Sequence, residues 1–93
     1  MPRGQIEARI AAEDSYSSAI AVHGDFNLSL SGTWTATVWV QRSFDGGVTW
    51  LDVKSYTDNV EEIGEEVERG VLYRFGVKTG GFTLGPVVGR ISQ

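Results

Sequence analysis

Thr37-Val38-Trp39-Val40-Gln41-Arg42-Ser43-Phe44-Asp45-Gly46-Gly47-Val48-Thr49-Trp50-Leu51-Asp52-Val53 reads as a β-hairpin. Two runs rich in Val, Thr and Trp flank Asp45-Gly46-Gly47, and glycine accepts the positive φ that a tight hairpin turn demands. Asp45 is placed to accept backbone N–H groups of the turn, and the hydroxyls of Ser43 and Thr49 are placed to tie down the same loop. Trp50 leaves the turn in position to pack back over it. The turn-structural set is therefore Ser43, Asp45, Gly47, Thr49 and Trp50.

Working outward, the same strand periodicity recurs on both sides. Gln5 to Ala12 alternates, with Ile6, Ala8, Ile10 and Ala12 on one parity. After the polar Glu13-Asp14-Ser15 and a loop-like Ser15 to Ser18, Ala19 to Val22 is a short strand ended by His23-Gly24. Asp25 to Ser31 puts Phe26, Leu28 and Leu30 on one face. In Thr35 to Arg42, the inward set is Ala36, Val38 and Val40, which leaves Trp39 exposed. Beyond the turn, Trp50, Asp52, Lys54 and Tyr56 share one parity and Thr49, Leu51 and Val53 the other.

Val60 to Arg69 admits two readings. Ile63 and Val67, four apart among Glu61, Glu62, Glu65, Glu66 and Glu68, suit a helix, whereas Gly64, Gly70 and the strand-rich surroundings favour an irregular or edge strand, which we prefer. Val71 to Thr79 is a strand with Val71, Tyr73, Phe75 and Val77 inward, broken by Gly80-Gly81. A loop at Phe82 to Pro86 leads into a last strand, Val87 to Ser92. About eight short strands with regular turn signals predict an all-β fold: one antiparallel β-sandwich over residues 1–93, in the manner of a compact jelly roll. Residues 1–4 and the strand after them suit an arm that pairs with a neighbouring subunit, or else a frayed terminus.

Composition narrows the function classes. The chain has 93 residues, a formal net charge of -4 and only 8 Lys and Arg, which are not clustered, so a phosphate backbone is a poor partner and no nucleic-acid role is expected. No apolar run approaches the roughly 20 residues of a membrane helix, and no signal peptide is read at the N-terminus, so neither a membrane nor a secretory route is expected. With no cysteine, the fold rests on packing or on partners, and a homo-oligomer, dimer or trimer, would supplement its thin core.

Chemistry-bearing clusters are few. The single His23 beside Gly24-Asp25 reads as a solvent-facing turn histidine, and the doublets Glu61-Glu62 and Glu65-Glu66 read as solvated carboxylates rather than a glycosidase pair. Asp45, Asp52, Asp58 and the glutamate run lack the spacing of a calcium loop, and one histidine without cysteine does not make a zinc site. Neither catalysis, metal nor cofactor is expected. The aromatics say more: Trp34, Trp39 and Tyr56 are candidates for partner contact, for simple packing, or for a sugar-stacking platform on one sheet face, in that order.

Two resemblances bear on this reading. Ser43 to Trp50 resembles the Asp-box, Ser-x-Asp-x-Gly-x-Thr-Trp, at all five defining positions; in sialidases and other sugar-processing proteins that box is a surface turn away from the catalytic centre, so the likeness implies a hairpin and no activity. Gly24 to Gln93 resembles small virion structural proteins of tailed bacteriophages. The likeness is carried by Gly24-Asp25-Phe26-Asn27-Leu28-Ser29-Leu30-Ser31-Gly32, by Val40 to Trp50 and by Gly70 to Gly80. It implies a non-enzymatic head decoration or cement protein bound to the major capsid protein lattice, located in the virion and assembled in the bacterial host cytoplasm. The alternative is a carbohydrate-binding module of a phage tail or adsorption structure.

Overall fold

The alternation of apolar and polar residues along the chain is realised as strands, and their inward rows converge on one face. The computed structural model describes residues 4–93. In chain order its strands are β1 (Gln5–Ile10), β2 (Ser15–Tyr16), β3 (Ile20–Ser31), β4 (Thr35–Ser43), β5 (Leu51–Tyr56), β6 (Val60–Leu84) and β7 (Val87–Ser92). All pairings are antiparallel and belong to one sheet, ordered β1-β7-β3-β6-β4-β5, with β2 pairing β6 off that path. The described residues form no helix, so Val60 to Arg69 is strand. Of the arm expected at residues 1–4, the first three lie outside the described residues.

Seven strands replace the expected eight, for a reason visible in two glycines. Ala19 to Val22 and Asp25 to Ser31 fuse into β3, and Val60 to Arg69 and Val71 to Thr79 fuse into β6. The expected stops at His23-Gly24 and Gly70 are bulges instead: Val22 pairs with Val71 and Gly24 with Glu66, so His23 alone faces Val67 to Gly70. Gly24 (φ 83°) and Gly70 (φ 75°) absorb the distortion, which bends the ladder without ending it. The expected break at Gly80-Gly81 does not occur either. β6 runs on to Leu84, with Phe82 opposite Ala36 and Leu84 opposite Thr35 across register shifts in that ladder. The Ser15 to Ser18 loop contains the short β2.

The bends fold the sheet over its apolar face. Ile10, Ile20, Val22, Phe26, Leu28, Leu30, Val38, Val40, Val71, Tyr73, Phe75, Val77, Val87 and Ile91 form one buried cluster. The folded sheet brings β7 so close to the second half of β6 that a Cβ on Gly89 would lie 2.4 Å from the Phe75 ring. Fully burying each such aliphatic or aromatic side chain contributes about 1.5–3 kcal/mol. β6 pairs with β3 through Val60–Tyr73 and with β4 through Leu72–Leu84, so this one strand lies on both sides of the fold.

Candidate binding face

Because Val38, Val40, Tyr73, Phe75 and Val77 point into the core, their neighbours Trp39, Gln41, Arg74 and Lys78 stand on the outer face of β4 and β6. Cross-strand pairing does the rest. Gln41 lies opposite Arg74 on one side and Asp52 of β5 on the other, while Tyr16 of β2 lies opposite Gly76. Gly76 has no side chain for a reason: a Cβ there would lie 2.4 Å from the Tyr16 ring and 2.3 Å from the Ser15 carbonyl oxygen. The tyrosine ring thereby lies over the strand and reaches Arg74.

Tyr16, Trp39, Gln41, Trp50, Asp52, Arg74 and Lys78 form a continuous network. The Arg74 guanidinium sits between two rings, its carbon 4.0 Å from the Tyr16 centroid and 4.3 Å from that of Trp50. Its Nε donates to Gln41 Oε1 (2.9 Å), Gln41 Nε2 donates to Asp52 Oδ1 (2.9 Å), and Lys78 Nζ donates to Asp52 Oδ2 (2.6 Å). Lys78 Nζ in turn lies 4.2 Å from the Trp39 centroid. Its hydrogen bond with Lys78, reinforced by Gln41, holds the Asp52 carboxyl below its ordinary range, while burial lowers the Arg74 pKa from its usual value. Each cation–π contact contributes about 0.5–1 kcal/mol when exposed and more when desolvated.

Arg74 pairs with no carboxylate among the described residues, whereas Lys78 is neutralised by Asp52. Among the described residues no buried side-chain nitrogen lacks a partner and the Arg74 Nη groups bond to none of these residues, so they reach solvent. The face thus offers a planar fork of donors between aromatic walls, suited to a carboxylate.

The turn beside it is built by Ser43 and Asp45. Ser43 Oγ donates to Asp45 Oδ1 (2.7 Å) and accepts the Gly47 N–H (2.9 Å); Asp45 Oδ1 also accepts the amides of Thr49 (2.8 Å) and Val48 (3.1 Å). The Thr49 amide, then the Ser43 hydroxyl, hold the Asp45 carboxyl at about 2. Thr49 contributes its amide here, and the Trp50 ring lies over Gly47.

The structure does not bring Trp34, Trp39 and Tyr56 onto one face. Trp39 is on the outer face and half-buried rather than exposed, because Lys78 covers it. Tyr56 lies opposite buried Val38, on the core side, and donates to Glu62 Oε1 (3.1 Å); burial, then that bond, pushes its phenol up to about 12. The single parity expected for Asp52, Lys54 and Tyr56 is broken by a bulge, since Gln41 pairs with Asp52 but Val40 with Lys54. Trp34 packs against the core and donates its indole N–H to Asn59 Oδ1 (2.6 Å).

The glutamate doublets are not uniformly solvated. Glu66 is only 2% exposed and accepts from Tyr73 Oη (2.7 Å), Arg42 Nη1 (2.9 Å) and the Glu68 amide (3.1 Å). Burial pushes its carboxyl up, but the three donors outweigh that and leave it below its ordinary value. Glu62 is lowered chiefly by Lys54, its partner at 3.0 Å. His23 stands exposed at the β3–β6 bulge, where the Gln93 side-chain amide grips its carbonyl (2.8 Å).

Comparison with known proteins gives no match, whether to family models, to curated proteins or to solved structures. Tyr16, Gln41, Asp52, Arg74 and Lys78 were not singled out by sequence as binding residues. The available signal was parity, which places Gln41, Arg74 and Lys78 outward; their meeting depends on the long-range pairing of β4 with β6.

Proposed function

We propose that this protein is a non-enzymatic virion structural protein, a head decoration or cement protein that binds and stabilises a major capsid protein lattice. We read the curled seven-stranded sheet as a small β-sandwich of jelly-roll type. The observation that carries the binding role is the aromatic and cationic network of Tyr16, Trp39, Trp50, Arg74 and Lys78, held on β2, β4 and β6 and on the residue that precedes β5. Trp, Tyr and Arg are the residues that dominate protein interfaces, and a preorganised set of them loses little entropy on docking. The resemblance of Gly24 to Gln93 to tailed-phage virion proteins points to the capsid as the surface it meets. On such a lattice many modest contacts add to firm attachment.

The test is re-addition of purified protein to capsids that lack it, with occupancy measured by quantitative mass spectrometry against the major capsid protein. Trp39→Ala and Arg74→Ala should each weaken occupancy by about tenfold or more, as loss of an interface anchor does, with an unchanged circular dichroism spectrum. Undiminished occupancy would remove this face from the interface, and failure of the unmodified protein to bind would remove the capsid. The carbohydrate-binding reading is second, because a pyranose stacking on Trp39 or Trp50 competes with Lys78 or Arg74 for the ring. Glycan-array binding lost in Trp39→Ala would promote it.

A further inference from the structure

The sheet path ends on two strands, and their free edges differ. At one end, β5 carries a bulge between its pairs with Val40 and Gln41, a device that blunts an edge against further pairing. At the other end, β1 pairs with β7 through six consecutive residues, Gln5 to Ile10, without a shift. Its outer edge is a regular ladder to which no other strand is hydrogen-bonded among the described residues.

Backbone polarity fixes which residues that edge presents. The Gly4 carbonyl accepts the Gln93 N–H (3.1 Å), so Gly4 turns its polar groups toward β7. The alternation of an antiparallel ladder then directs those of Ile6, Ala8 and Ile10 toward β7 as well, and those of Gln5, Glu7 and Arg9 outward. A second β1 strand running antiparallel can match these groups only when its twofold axis passes through a residue and not between two.

Charge selects among the registers centred on the middle of β1, about Glu7, Ala8 or Arg9. An axis through Glu7 sets two carboxylates opposite each other, and an axis through Arg9 sets two guanidinium groups opposite each other. An axis through Ala8 pairs Glu7 with Arg9 of the second copy, twice, on the exposed face. It also pairs Ile6 with Ile10 on the core face, where Ile6 is only half-buried in the single chain. Glu7 and Arg9 form no ion pair among the described residues; Glu7 accepts only the Gln5 side-chain amide, although Arg90 lies opposite it in β7.

We infer that a second copy of this chain docks on the β1 edge, by antiparallel β1–β1 pairing about an axis through Ala8, to give a twofold dimer with one continuous sheet. Such an interface is isologous and closed, so it stops at two copies. It uses no residue of the aromatic and cationic face, and it stands or falls without a capsid.

Sedimentation equilibrium on the full chain tests it. Glu7→Arg and Arg9→Glu should each weaken dimerisation by about tenfold, and the double variant E7R/R9E should return it to near the unmodified value, because the swap restores both cross-strand pairs. The chain has no cysteine, so Ala8→Cys introduces the sole thiol. Across a non-hydrogen-bonded pair the two Cα atoms lie about 4.5 Å apart, within disulfide reach, and mild oxidation should link two copies. Leu51→Cys, on the β5 edge, should not link. A monomer at every concentration, a trimer, single variants that dimerise unchanged, a double variant no better than the singles, or linkage through Leu51→Cys in place of Ala8→Cys would each overturn the inference.

Discussion

At the scale of single residues, Glu66 shows how burial changes the meaning of a charge. In the sequence it is one of five glutamates in ten residues and looks solvated; in the fold it is enclosed, with Arg42, Tyr73 and the Glu68 amide meeting its oxygens. Strand alternation sets it on the face opposite Glu65, but not its enclosure, because Arg42 and Tyr73 come from β4 and from beyond the β6 bulge. The Ser43–Asp45 turn was legible for the opposite reason, all its bonds being local. Replacing Glu66 by Ala should cost about 3 kcal/mol in urea unfolding, since Tyr73 is left with a buried, unpaired hydroxyl and Arg42 without its counter-charge. The pH dependence has a definite sign. The folded-state pKa of Glu66 lies below its ordinary 4.5, so its contribution is complete above that value and is lost as pH falls through the depressed one. Between about pH 6 and about pH 3 the unmodified protein should therefore lose more stability than Glu66→Gln does, and equal losses would show that this carboxylate is not the group responsible.

At the scale of elements, type was legible and extent was not. Alternation identified the inward rows of β3, β4 and the second half of β6, and the core contains them. Glycine was misread as a stop at His23-Gly24, at Gly70 and at Gly80-Gly81, because the same positive φ serves a turn and a bulge, and only the partner strand distinguishes them. Glycines with ordinary φ have a different purpose, which is space. A Cβ on Gly89 would press on the Phe75 ring and lie 3.0 Å from Leu30 Cδ2, with both neighbours almost fully enclosed. Gly89→Ala should destabilise the protein by about 1–3 kcal/mol by overpacking, measured as a lower urea midpoint. A neutral result would mean that β7 stands further from β6 than the geometry places it.

At the scale of the whole molecule, the two outer surfaces differ in charge. The β4–β6 face carries Arg74 without a counter-charge, and the outward rows of β3 and the first half of β6 carry Asp25, Glu61 and Glu65. The aggregate charge of -4 concealed this division, since composition does not record which strand lies beside which. A fold in which β6 pairs on both sides should also come apart as a unit. Tryptophan fluorescence and far-ultraviolet circular dichroism should report one coincident urea transition, whereas separated midpoints would show that the β3 and β4 sides unfold independently. The same strand has a mechanical consequence. A load applied to the β4–β6 face enters β6 and passes along its covalent backbone to the β3 side, so tension need not cross the side-chain core. Detaching β6 from either side then requires its whole ladder to β3 or to β4 to yield.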